Sequence, residues 1–313
     1  MAIIFDRGEF MLRCGPAGES PHVQYIFSEN DDESPVEKEV QLIQDMRGDE
    51  NQVQVVATVP LQYGIPDLSV LCQYYFEVAG AGSVCLAHVP FLTALSFGAT
   101  SAIVCDFGHS SSRITPVHDG WTFHSCSLES LQLSGANQNR LLEDIGVSGC
   151  LNLHKVKTKT AYVPRRHSIS SSSSKMVLPD ENLISVTDDT NMNGNLGEFF
   201  FSPNRFLSQC NALSATQLLN CGLCMIPKEV PFSNACRNVL LCGGITSTTG
   251  FVDRLQEETG QNKELYFHRH SNRHLLPWIG GTILSQLSSV SNISVSRAEY
   301  IEHGPDVILK RCF

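Results

Sequence analysis

Two short stretches of this chain carry one pattern. IIFDRGE (Ile3–Glu9) and AIVCDFGHS (Ala102–Ser110) both contain apolar, apolar, any residue, Asp, any residue, Gly, polar. In each, strand-forming residues lead into an aspartate, a glycine supplies the tight bend, and a second apolar stretch follows. Two strand–Asp-x-Gly–strand hairpins imply two similar sub-folds facing one another, with a ligand in the cleft between them. The bend of such a hairpin can wrap a phosphate, because successive backbone N–H groups converge there.

The 313 residues suffice for a large core or two lobes. With 42% hydrophobic and 17% charged residues, the composition fits a soluble globular protein. The net charge of −10 speaks against a nucleic-acid-binding face as the main role, since phosphate backbones need a basic patch. No apolar window is long enough to span a membrane. The start, MAIIFDRGEF, is interrupted by Asp6 and Arg7 and lacks the long apolar core of a signal peptide. A cytoplasmic or nuclear chain is therefore expected, its 12 cysteines reduced. Cys105 and Cys242 lie in apolar strands, where cysteine acts as a small hydrophobe.

Periodicity predicts short strands around the turn at Asp6–Glu9, a helix over Val36–Met46, and buried strands at Val53–Val59 and Ser83–His88. It predicts helices over Pro66–Phe76, with Leu68, Leu71 and Tyr75 on one side, and over Pro90–Phe97. Residues 131–145 have helical spacing, broken by Gly135. Residues 157–175, basic and then serine-rich, read as a linker or surface loop. A strand pair is expected at Val177–Val186, a strand at Asn238–Cys242, and helices at Phe251–Thr259 and Trp278–Leu287, where Gly280–Gly281 allows close packing.

NVLLCGGITSTTGFVDRLQEE (Asn238–Glu258) resembles the adenosine motif of actin, and Trp278–Phe313 resembles its C-terminal segment almost position by position. IIFDRGEFMLRCGPAGESP resembles its first phosphate loop, and SAIVCDFGHSSSRITPV its second. The chain is thus identified as a divergent member of the actin and actin-related family. The resemblance implies an α/β, actin-like two-lobed fold of duplicated ribonuclease-H-like sub-folds with reduced outer subdomains. It divides the chain into a first lobe, 1–120 and 288–313, with a truncated outer subdomain at about 28–52, and a second lobe, 121–287, with a reduced one at about 136–208.

The resemblance also implies which residues would line a nucleotide site: Asp6, Gly8, Arg13, Asp106, Gly108, Gly135, Gly243 and Gly244. Several neighbours depart from the family's pattern. Ser-Gly becomes Glu9-Phe10, and the phosphate-binding lysine becomes Arg13. The second aspartate becomes His109, the next glycine Ser110, and a water-positioning histidine Arg113. The catalytic glutamine falls on Val89, which cannot orient a water. The adenine-side Lys-Glu pair falls near Gly146-Val147, and a basic residue before Trp278 becomes His274. Glu9 would repel phosphates, and Phe10 removes a close backbone approach. Arg13 and Arg113 could still hold a phosphate without magnesium.

The expectation is a degenerate ATP cleft, a pseudo-ATPase with no catalytic residues and no metal site, and ATP or ADP held weakly at most. HRHSNRH (His268–His274) and CGLC (Cys221–Cys224) lie too far apart for a zinc site, and RRHS before the serine tract offers Ser168 for phosphorylation. A structural subunit is expected, with other actin-family subunits or a cytoskeletal complex as partners and no nucleic acid or membrane insertion. The run GSVCLAHVPFLTALSFGATSAIVCDFG resembles the pointed-end actin-related protein of dynactin, a filament cap. The alternative is a nucleotide-binding actin-like protein with slow hydrolysis; a sugar-kinase-like activity lacks a candidate base.

Overall fold

The computed structural model describes residues 1–18, 20–27, 34–47, 52–144, 147–164, 174–177, 183–186, 196–207, 211–226, 238–260 and 265–312. The chain divides into two units. The first comprises Met1–Ser101, Val117–His124 and Leu275–Phe313, the second Ala102–Pro116 and Ser125–His274.

The first unit is built on a six-stranded sheet. Its strands run Val295–Ser296, Ser83–His88, Gln54–Val59, Ala2–Arg7, Met11–Pro16, Val23–Ile26 across the sheet. Ala2–Arg7, Gln54–Val59 and Ser83–His88 are parallel; Met11–Pro16 and Val23–Ile26 fold back as an antiparallel meander. Parallel strands need both faces covered, which is why Val55–Ala57 of QVVATV and Val84–Ala87 of SVCLAH are uninterrupted apolar runs. One face packs Ile3, Phe5, Val55 and Ala57 against Leu42 and Ile43 of the helix Pro35–Arg47 and against Leu68, Leu71 and Tyr75. The other packs Ile4, Val56 and Cys85 against Leu92 and Trp278.

The helix expected over Pro66–Phe76 is found as Ile65–Gln73, continued through Val78 by a wider turn in which Ala79 N donates to Tyr74 O at 3.0 Å. Leu68, Leu71 and Tyr75 share its buried side as expected. The helices Val89–Ser96 and Leu276–Gln286 cross closely. A Cβ on Gly280 would lie 2.0 Å from Leu92 O, so only glycine admits this approach.

The second unit's sheet orders Val239–Cys242, Ala102–Phe107 and the strand that starts at Ser112 and leaves the unit after Pro116, with Leu128–Ser130 pairing that same strand. Its core is aromatic: Phe107 and Phe251 lie 5.0 Å apart between ring centres, Phe200 and Phe251 5.9 Å, Phe199 and Phe200 5.2 Å. The helix Phe251–Thr259 has the expected bounds and follows Gly250 at φ 82°.

Two expectations are corrected. Gly135 does not break a helix; it opens one, Gly135–Glu143, because Ser134 caps it by accepting from Asn137 N. Residues 157–160 are not linker; they form the end of the helix Cys150–Thr160, whose Leu153 and Val156 pack with Leu142 and Leu196. The expected strand pair exists as Ser174–Val177 against Leu183–Val186, antiparallel. Ser168 and most of the serine tract lie outside the described residues.

Candidate functional site: two Asp-x-Gly hairpins

The first hairpin joins Ala2–Arg7 to Met11–Pro16 in a register that sets Asp6 directly opposite Arg13. Cross-strand neighbours of opposite charge attract. Here Arg13 Nη1 donates to Asp6 Oδ2 at 2.8 Å, with both side chains mostly buried. Burial raises the Asp6 carboxyl above its ordinary value, and the guanidinium acts against that rise. Arg13 Nε is buried without a hydrogen-bond partner. At the bend, Gly8 N donates to Met11 O at 3.2 Å, and a Cβ on Gly8 would stand 2.7 Å from that oxygen. Glu9 is exposed at the turn, where Gln62 Nε2 reaches its carboxylate at 3.5 Å.

Alternation sends Arg7 to the opposite face from Asp6. Its Nε donates to the fully buried Glu39 at 2.5 Å, Tyr75 Oη donates to the same carboxylate at 2.5 Å, and the Tyr63 ring lies 5.6 Å from the guanidinium. Val89, where the resemblance places a catalytic glutamine, is the partly buried first residue of its helix.

The second hairpin joins Ala102–Phe107 to Ser112–His118, and Gly108 N donates to Ser111 O at 2.9 Å across the bend. Arg113 is buried and ion-paired with Glu129 on the adjacent strand Leu128–Ser130. Four of the expected residues gather here. Gly135 N donates to Gly108 O at 3.1 Å. A Cβ on Gly243, at φ 88°, would meet Phe107 O at 2.3 Å and Asp106 Oδ1 at 2.6 Å. Gly244 has open space about it, so nothing steric demands glycine there.

The helix Gly135–Glu143 points its N-terminus at this bend. Such a terminus attracts anions only while its N–H groups are unspent. Here Gly135 N and Ala136 N donate to Gly108 O and His109 O at 3.1 and 2.7 Å, and Asn137 N to Ser134 Oγ at 3.3 Å.

Sequence reasoning missed Lys157. It reaches back from the helix Cys150–Thr160, and its Nζ donates to Gly135 O at 3.3 Å. Burial lowers its amine to about 8. Burial, with Lys157 nearby, lowers His109 to about 4. The missed signal was the i, i+3 and i, i+4 spacing of Leu153, Val156 and Thr160, overridden by the basic composition of the stretch. His274, the last residue of this unit, approaches Ser247 Oγ with Nδ1 at 3.4 Å. Among the described residues no three His, Cys, Asp or Glu side chains are grouped to hold a metal ion, and no helix is long and apolar enough to cross a membrane.

His109 carries a pH prediction. With its folded value depressed, the unfolded chain takes up the proton first, so stability falls as the pH drops from about 6.5 to about 4. His109→Gln is expected to flatten that part of the urea-midpoint profile. An unchanged profile would refute the assignment.

Two mixed sheets, each with a strand–Asp-x-Gly–strand hairpin, place this chain in the class of duplicated α/β folds of the actin type. The actin family model matches residues 36–145 and 137–313. The chain is 30% identical to Actin-like protein 7A of Homo sapiens, covering 76% of this chain and 57% of that protein. It is 26% identical to Actin-like protein 9 of Rattus norvegicus, with 77% and 62% covered, and 25% identical to Putative actin-29 of Dictyostelium discoideum, with 78% and 68% covered. The chain belongs to the actin family. It matches less than two thirds of the length of the actin-like 7A and 9 proteins.

Proposed function

We propose that this chain is a non-catalytic actin-family subunit of a cytoskeletal or other multiprotein assembly in the cytoplasm or nucleus, its phosphate loops retained for the fold. The observation that carries the reading is the pairing of both substituted arginines with carboxylates of the chain: Arg13 with Asp6, and Arg113 with Glu129. A phosphate would compete with those carboxylates for the same guanidinium donors. Only residues 27–34 separate the strand Val23–Ile26 from the helix Pro35–Arg47, a link too short to hold an outer subdomain. A subunit trimmed on that side suits a filament-end cap or a dedicated place in a complex with other actin-family subunits.

A nucleotide-binding reading with slow ATP hydrolysis is favoured by the preserved packing of Gly243 on Asp106 and by the Lys157 amine beside Gly135. Chromatography of the supernatant from acid-denatured protein separates the two. The expected result is no stoichiometric adenine nucleotide and no thermal shift on adding ATP and magnesium. A stoichiometric ATP or ADP peak would overturn the pseudo-ATPase reading, and the ratio of the two would report hydrolysis.

A further inference from the structure

Cysteine is among the residues most often buried, and this chain mostly follows the rule. Cys14, Cys72, Cys85, Cys105 and Cys242 are buried, and Cys126 and Cys312 are half-buried. Cys221 and Cys224 break it. Among the cysteines whose side chains are described, these two are the exposed ones, and both are free thiols. They belong to CGLC, which lies too far along the chain from the histidine cluster to share a zinc ion with it. The second unit's helix Ala215–Cys224 brings the pair together. Ser214 caps it: Ser214 Oγ accepts from Gln217 N, and Gln217 Oε1 accepts from Ser214 N. Leu218, Leu219, Gly222 and Leu223 face the core. A Cβ on Gly222 would press on Ile114 Cγ2 at 2.5 Å, so the helix is seated closely on the sheet. Gln217, Asn220, Cys221 and Cys224 form its exposed side, at three- and four-residue spacing. Met225, the residue that ends the helix, is 40% exposed and follows Cys221 by one helical turn. The sulfur-bearing side chains of Cys221, Cys224 and Met225 are thus neighbours on one exposed, firmly anchored helix end.

The spacing decides between two fates of a dithiol. Residues three apart on a helix have Cβ atoms about 5–6 Å apart. A disulfide needs about 3.5–4.5 Å, so the intact helix holds these thiols too far apart for a bridge. An ion between them suits the gap, since two metal–thiolate bonds of about 2.3 Å each let the sulfurs stand about 4.6 Å apart. Thiolate and thioether are soft donors, and they suit copper(I). Zinc prefers a closed tetrahedral set of Cys, His or carboxylate ligands, and among the described residues no third ligand of that kind is grouped with the pair.

We propose that Cys221, Cys224 and Met225 form a surface site for copper(I). On binding, the two S–H groups release their protons and two copper–thiolate bonds form. The Met225 thioether adds a lone pair as a neutral third donor, and neither copper nor sulfur changes oxidation state. The site involves neither Asp-x-Gly hairpin, so it stands whatever the nucleotide experiment returns.

The test is transfer of copper(I) from its bicinchoninate complex to the full chain, reduced and free of oxygen, read as loss of the complex's colour. Stoichiometric uptake is expected, with sulfur as the nearest neighbour of copper in X-ray absorption. Cys221→Ser combined with Cys224→Ser is expected to abolish that uptake, and Met225→Leu to weaken it about tenfold. Cys126→Ser, which alters a half-buried thiol elsewhere, is expected to leave it unchanged. Cys221, Cys224 and Met225 are exposed, and matching thermal melts without copper verify that each variant keeps the fold. Three results would overturn the proposal: no uptake by the reduced chain, undiminished uptake by the double serine or the Met225→Leu variant, or a Cys221–Cys224 disulfide mapped by mass spectrometry in protein isolated without reductant.

Discussion

Replacing Glu39 by alanine is expected to destabilise the first unit by about 3–5 kcal/mol, because it leaves the charge of Arg7 buried without a counter-ion. Glu39 is fully buried, and both of its oxygens are engaged, one by Arg7 and one by Tyr75. Arg7 Nη1 is already buried without a hydrogen-bond partner, and among the described residues Glu39 is the carboxylate paired with this guanidinium. Burial acts to lower the Arg7 value, but Glu39 and the nearby tyrosines more than offset it, and the net shift is upward. Glu39→Gln keeps an acceptor for Tyr75 and should cost less. Replacing both members by apolar residues, Arg7→Met with Glu39→Leu, should recover most of the loss, since the expense lies in stranding one charge and not in losing the pair. Both tryptophans, Trp121 and Trp278, belong to the first unit, so the urea midpoint of tryptophan fluorescence reads this unit directly. A Glu39→Ala midpoint equal to that of the parent would show that the pair contributes nothing.

Gly280→Ala is the second substitution with a large expected effect, about 3 kcal/mol, at the upper end for overpacking. The new Cβ would sit 2.0 Å from Leu92 O and 2.6 Å from Leu92 C, both backbone atoms that cannot rotate aside. The helices Val89–Ser96 and Leu276–Gln286 would have to separate, loosening Leu92 and the fully buried Trp278 between them and the sheet. Gly281→Ala, whose Cβ meets side-chain methyls, Ile4 Cγ2 at 2.9 Å and Val56 Cγ1 at 3.9 Å, should cost less, and Gly244→Ala, in open space, should be nearly neutral. Tryptophan-monitored unfolding should rank the two first-unit variants in that order, and circular dichroism should read Gly244→Ala, which lies in the second unit. A neutral Gly280→Ala would show that the helices part freely.

Much of this architecture is legible in local patterns. The bends at Gly8 and Gly108 follow from strand-forming runs that meet an Asp-x-Gly turn. The helix Phe251–Thr259 follows from its apolar spacing after a glycine. The stretch after Ser148 was not legible, because basic composition and an adjoining serine tract outweighed a short apolar periodicity that only the packing of Leu153 and Val156 makes decisive. Gly135 was misread for a related reason. A glycine within helical spacing breaks a helix or begins one according to what precedes it, and here Ser134 caps and the Gly108 carbonyl takes the first N–H.

By itself, the sequence determined the strand–turn–strand repeat and the family. Those properties depend on residue identity and near-neighbour spacing. The tertiary structure alone decided what Arg13 and Arg113 do with their charge, that Lys157 stands beside Gly135, and that the helix Gly135–Glu143 spends its first N–H groups on the protein. Each depends on strand register or on contacts between segments far apart in the chain. A guanidinium pairs with whichever carboxylate the fold brings within reach, and no local pattern carries that distance.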